Sequence, residues 1–463
     1  MAVAVGGVAA AAPTVLWSDP GFPDYARAIP IGGELRIEGA VLEPGGLPEA
    51  FELERFRVFA PDARIVVHGD SGSQTLPPPT HAYFRGSVAG REHSRVMLTV
   101  LEGGGLRGLI AQGGRYWLAT QGPGEPHPTL QEVTDHPALA AGARRFECGA
   151  DQLPRPPHAS AEVDEAAAGI GKGESMPQPV AYTVRLAVET DYEYYQLFGS
   201  TSAALTYAGD LFAYASTYYT AEVSTDFWIS YVSLWTTAAD PWTQTWSGCC
   251  LFEFGRYWNT NMGSVTRTVA HFLSGKTAGG GMSWQPALCA SSFYTSVPTV
   301  WNCTLTPSYD LYGGDYGFSG SLTGSFQISN PSVVWDIYVV SHEVGHNFNT
   351  GHTHCYVPPV DQCWGSELPS PPCYSGPTSL PCPTPGAGCG TIMSYCHTIT
   401  PGMSNISLTL GLTDPWGYQS WRVPNAMSGY VASVAASNPS CLLTMFADGF
   451  ESGDSSAWSS TVL

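Results

Sequence analysis

His342-Glu343-Val344-Gly345-His346-Asn347-Phe348-Asn349-Thr350-Gly351-His352 decides how the rest of this 463-residue chain is read. His342 and His346 stand four residues apart, so on a helix both imidazoles leave one face and can share one metal ion. Pro331-Ser332 opens such a helix, with Ser332 as its N-cap, and it runs to about Phe348. Glu343 follows the first histidine and can reach a water molecule in the metal's open position. His352 completes the set if the helix stops after Phe348 and the chain turns back. That turn asks for left-handed backbone, and Asn349 is the non-glycine residue that best tolerates it. Three histidines and a water are the donor set of a catalytic zinc site, not of a closed structural one. His354 is a rival third ligand, but it lies two residues too far along.

Downstream stands Cys389-Gly390-Thr391-Ile392-Met393-Ser394-Tyr395-Cys396. Together the two stretches resemble the adamalysin/reprolysin branch of the metzincin zinc peptidases. The resemblance implies zinc ligation by His342, His346 and His352, Glu343 as general base, and Met393 in a tight Met-turn beneath the metal. It implies an α/β catalytic domain, a mixed twisted sheet with long helices, preceded by a small β-rich prodomain. Phe84–Arg91 (FRGSVAGR), Gly105–Ile110 (GLRGLI) and Tyr116-Trp117-Leu118 resemble the propeptide of these zymogens. Two departures stand out: the family has Gly at the position of Asn349 and an acidic residue at that of Thr353. Tyr395, two residues past the Met, is similar to a tyrosine of astacins and serralysins that assists the metal site or the transition state.

Composition agrees with export. Hydrophobic residues make up 43 % of the chain, enough for a sizeable core, while charged residues are only 13 %. The net charge of −20 repels phosphate backbones and excludes nucleic-acid partners. Twelve cysteines in a chain with 52 Gly and 37 Pro point to an oxidising compartment. No apolar run reaches the ~18 residues of a membrane-spanning helix. The first residues, MAVAVGGVAAAA, resemble the apolar part of a secretory signal without its basic start, since the first Arg is Arg27. We expect a secreted, bacterial protein whose signal is truncated or trimmed here.

The expected layout is a signal-like remnant over 1–13, a β-rich propeptide domain over 14–137 and an exposed linker with the activation site over 138–178. A metallopeptidase domain over 179–440 carries a Cys/Pro-rich loop at 355–390, and a tail covers 441–463. Val184–Val188, Phe227–Trp235 and Val265–Phe272 read as strands, Ser202–Val223 and Asn425–Val434 as helices. By resemblance, Gly281–Trp284 is the edge strand that pairs with an extended substrate. Ala270–Thr277 fits a loose phosphate-loop pattern, but the following Ala278-Gly279-Gly280-Gly281 is a poor helix start. The cysteines from Cys355 to Cys396 lack paired CxxC spacing and read as disulfides beside the site. Eleven cysteines follow Cys249 inclusive, an odd number, which leaves a free thiol or a bridge to Cys148. Cys148 is itself a candidate cysteine switch, a thiolate filling the open metal position, with Gly149 allowing close approach. Asp448–Asp454 with Trp458 resembles a short tail recurring on exported bacterial proteins.

These readings converge on a latent zinc endopeptidase, a monomer acting on extended protein or peptide segments. One catalytic Zn²⁺ is expected; structural Ca²⁺ is admissible, though no motif specifies it. The rival is a binding or adhesion protein that kept the fold. Loss of Glu343 or of a ligand would favour that rival, and none is lost.

Overall fold

The structure, a computed structural model, describes residues 14–16, 21–43, 45–121, 125–140, 148–154, 156–157, 180–365 and 373–444. The signal-like stretch, the tail beyond 444 and most of the 138–178 linker lie outside the described residues.

The N-terminal part forms an antiparallel eight-stranded sheet. Its order is Thr14–Val15, Thr129–Glu132, Arg115–Thr120, Leu106–Gln112, Arg95–Val100, Ala82–Val88, Glu49–Phe56, Glu34–Ala40. Period-two alternation divides its side chains between two cores. Val96, Leu98 and Val100 join Phe84, Ile110 and Trp117 on one face. Met97, Leu109 and Leu118 point the other way, into the core shared with the long helix Thr201–Val223. A short helix, Phe22–Ala28, lies in this part as well, which the alternating pattern did not suggest.

The second sheet carries the site. Across it run Gly281–Ser283, Tyr316–Ser319, Val269–Leu273, Tyr182–Thr190, Thr225–Trp235, Phe59–Gly69 and Gly72–Leu76. Tyr182–Thr190 pairs in parallel with both neighbours, and Gly281–Ser283 is antiparallel at one edge. Leu443–Thr444 adds a short antiparallel pairing to Tyr182–Thr190. The central strand, the two long helices and Thr225–Trp235 fall close to where the sequence put them. The strand expected from Val265 begins only at Val269, and the last helix is longer, Arg422–Ser437.

Two expectations need correction. The hairpin Phe59–Leu76, read as part of a separate N-terminal module, is the far edge of the catalytic sheet. Its own pattern cannot say which sheet it joins, because apolar alternation fits either. The linker is also not exposed throughout: Cys148 and Ala150 are buried, just before and at the start of a short 3₁₀ turn, Ala150–Gln152.

Five disulfides are present among the described residues: Cys249–Cys303, Cys289–Cys441, Cys355–Cys373, Cys363–Cys396 and Cys382–Cys389. Three staple the loop between the third His and the Met-turn. The odd cysteine is Cys250, buried and free, and Cys148 is free too. No helix among the described residues is long and apolar enough to cross a membrane.

Candidate active site

The active-site helix, Val333–Asn347, is buried along its whole length, so its apolar Val, Ile and Trp residues face protein on every side. Ser332 precedes it but makes no side-chain cap; its hydroxyl instead accepts from Thr323 at 2.8 Å. The helix ends at Phe348, and Asn349 adopts φ 67°, the left-handed turn expected of it. This turn brings His352 back over the helix.

The three histidines converge. Nε2 of His342 and Nε2 of His346 are 3.3 Å apart, and the His352 ring centroid lies 5.1 and 4.7 Å from theirs. Each ring is fixed from behind. His342 Nδ1 donates to Ile392 O and His346 Nδ1 to Thr350 O, both at 2.8 Å. His352 Nδ1 meets Asp151 Oδ2 at 2.6 Å. With the Nδ1 positions engaged, the Nε2 lone pairs face inward, the tautomer a metal requires. His352 Nε2 is buried with no hydrogen-bond partner. Burial, reinforced by the neighbouring imidazoles, pushes His342 well down and His346 to about 3, so both stay neutral. This donor set fits a zinc ion.

A fourth donor atom from the chain stands beside the three histidines. Cys148 Sγ lies 3.3 Å from His346 Nε2, and its sulfur and the three histidine nitrogens all fall within 4.8 Å of one another. Tyr395 fastens this segment: its hydroxyl accepts from Cys148 N at 2.9 Å and donates to Cys148 O at 3.0 Å. Gln152 accepts from Trp301 Nε1 at 3.2 Å. Gly149 lies against the edge strand, where a Cβ would come 2.3 Å from Met282 Cε. No strand pairing joins Cys148–Leu153 to Gly281–Ser283 among the described residues, so the segment crosses the cleft as a turn.

Glu343 is fully buried beside the three histidines. Burial pushes its carboxyl up to about 8, while the adjacent Cys148 thiol and Ser283 hydroxyl work the other way. Gly281 leaves its room: a Cβ there would lie 2.3 Å from Glu343 Oε1. Met393 is buried below, its thioether against the Gly345 backbone and its carbonyl accepting from Thr353 N at 3.1 Å. His354 stacks on His352 at 5.4 Å between ring centroids, outside the His342–His346–His352 convergence. Asp151 was not foreseen, nor was the close approach of Gly281, read only as the start of the edge strand, to Glu343. A carboxylate one turn beyond Cys148 was the available signal for the first. The phosphate-loop pattern is consumed internally, since Lys276 Nζ donates to Trp242 O and Gly275 N to Asp191.

Helix, returning turn, histidine triad and buried Met define a metzincin-like metallopeptidase. Residues 180–407 match the family model Reprolysin_5, described as Metallo-peptidase family M12, which supports a metzincin-like metallopeptidase. Among solved structures, metalloproteinase-II from Bacteroides fragilis is similar at 9 % identity and TM-score 0.34, covering 71 % of this chain and 87 % of that one. A chain from a chaperone–substrate complex is similar at 12 % identity and TM-score 0.27, covering 54 % and 36 %. Comparison with curated proteins gave no significant match.

Proposed function

We propose that this chain is a secreted zinc endopeptidase, made as a latent zymogen in which Cys148 closes the metal site. The observation that carries the reading is the convergence of Cys148 Sγ on the three histidine nitrogens. Burial pushes the Cys148 thiol well up, so a thiolate there needs a cation beside it, which the histidine set is suited to hold. When bound, zinc supplies Lewis acidity for the scissile carbonyl and for the attacking water. Once the Cys148 segment has left, Glu343 takes the proton of that water and passes it to the leaving amine. The carbonyls of Ile392 and Thr350 keep His342 and His346 oriented throughout. Gly281–Ser283 offers an edge to an extended peptide. Tyr395, released from the Cys148 backbone, supports the developing oxyanion.

The test is peptide hydrolysis by purified precursor, cut chain and variants, with zinc measured on each. Wild-type precursor should be latent, Cys148→Ser active without processing, and Glu343→Gln inactive when cut yet still zinc-loaded. A Cys148→Ser precursor as latent as wild type would remove the switch. Undiminished activity in Glu343→Gln would remove the assigned base.

A further inference from the structure

The N-terminal sheet and the peptidase layer are joined through features that a cut in the linker does not touch. Phe59–Gly69 pairs in parallel with the outer edge of Thr225–Trp235, in a register running from Val232↔Ile65 to Trp235↔His68. Beyond the ladder, Ile229 N donates to Val58 O at 2.7 Å and Thr236 N to His68 O at 2.9 Å. Ile65 and Val67 are buried in one core with Val232 and Leu234.

The helix Thr201–Val223 is buried without a break from Ala204 to Tyr219, because the eight-stranded sheet covers the face turned away from the catalytic sheet. Acidic groups on the peptidase side find their partners in the N-terminal part. Asp210, fully buried, accepts from Thr99 at 2.7 Å and pairs with Arg107 at 3.3 Å. Asp226 pairs with Arg85 at 3.0 Å, both side chains nearly buried. Tyr214 donates to Met97 O at 3.3 Å. On the other side Tyr116 donates to Met403 O at 3.0 Å, ten residues beyond Met393.

The Cys148 segment is attached quite differently. Its outward polar contacts go to Tyr395, His346, His352, Cys355 and Trp301, all around the cleft, and its backbone bonds among the described residues are otherwise its own 3₁₀ turn.

We propose that residues 14–140 stay bound to the peptidase domain after activation, as a permanent non-covalent subunit, and that only the Cys148 segment leaves. The zymogen reading enters only as the occasion for the cut. Departure of the whole N-terminal part would uncover the Thr225–Trp235 edge and the apolar back of the long helix. A long bare strand edge and an apolar helix face invite aggregation, not a soluble enzyme.

The chain itself supplies the cutting sites, Arg144 and Arg145 before the segment and Lys172 after it. Full-length zinc-loaded protein would be digested briefly with trypsin, then followed by gel filtration, mass spectrometry and peptide hydrolysis. We expect the pieces ending near Arg145 and beginning at Gly173 to elute together near the volume of the intact chain, and to part only in denaturant. An active peptidase piece eluting alone overturns the proposal. Co-elution without activity supports it while removing the peptidase reading, so the two failures are distinct. In nicked protein, Arg85→Ala with Arg107→Ala should lower the urea concentration at which the pieces part. An unchanged midpoint would count against these pairs as the tie.

Discussion

Asp151 Oδ2 lies 2.6 Å from Nδ1 of His352, so the segment that carries Cys148 into the cleft also grips the third histidine from behind. One short turn thereby supplies a metal-facing sulfur and an outer carboxylate together. Outer partners of this kind typically change metal affinity or activity 10- to 100-fold. Asp151→Ala should speed zinc loss from the precursor to a chelator by about tenfold on that scale. The processed enzyme, which lacks the segment, should show no change. Equal rates in wild-type and variant precursors would leave Asp151 without this role.

Tyr395 makes a second prediction about latency. Phe in its place loses both hydrogen bonds to the Cys148 backbone. Neutral hydrogen bonds contribute about 1 kcal/mol each, so losing both should weaken the closed state by about 30-fold. Peptide hydrolysis by uncut Tyr395→Phe precursor should rise accordingly, and a strictly latent variant would contradict this.

The close approach of Gly281 to Glu343 gives a third. Gly281→Ala forces the carboxylate aside, because a Cβ would sit 2.3 Å from Oε1. Zinc content should be unaffected, whereas kcat of the cut enzyme falls on the order of 10²-fold, as small misplacements of reacting groups do. Full activity in this variant would mean that Glu343 works from another position.

Arg107→Ala leaves the carboxylate of Asp210 buried with only Thr99 beside it. Burial already pushes the Asp210 carboxyl up, and Arg107, with the Thr99 hydroxyl, opposes it. Breaking one side of such a pair costs about 3 kcal/mol, read as a shift of the urea midpoint of the full chain. Asp210→Asn, which keeps the shape without the charge, should cost less. A loss in Asp210→Asn as large as in Arg107→Ala would point to packing instead.

Glu189 predicts how stability follows pH. It accepts from Trp258 Nε1 at 2.9 Å and Trp235 Nε1 at 3.0 Å, yet burial pushes its carboxyl up from 4.5 to about 8. The folded chain therefore keeps a proton that the unfolded chain releases. This contribution is complete below pH 4.5 and is lost as pH rises through about 8. Thermal melts should show Tm falling over that window. Glu189→Gln should remove a part of the fall corresponding to a few kcal/mol. An identical fall in the variant would exclude Glu189 as its source.

The sequence alone determined that His342, His346 and His352 would converge, because helical spacing and a returning turn are local geometry. His342, His346 and Asn349 lie within one helix and its exit, and the φ of 67° at Asn349 follows from residue type. The sheet strands around Val184 and Phe227 were legible for the same reason, as each is an apolar run with turn residues at its ends. Tertiary structure alone decided which chain segments meet. Nothing in Phe59–Leu76 distinguishes a strand of the N-terminal sheet from one at the edge of the catalytic sheet, since both bury alternate side chains. Cys250 and Cys148 are as cysteine-like in sequence as the ten that pair, and only proximity excludes them from the bridges. Asp151 reads as one more acid in a polar linker until the fold sets it behind His352, 201 residues away, where burial and a single hydrogen bond give it work.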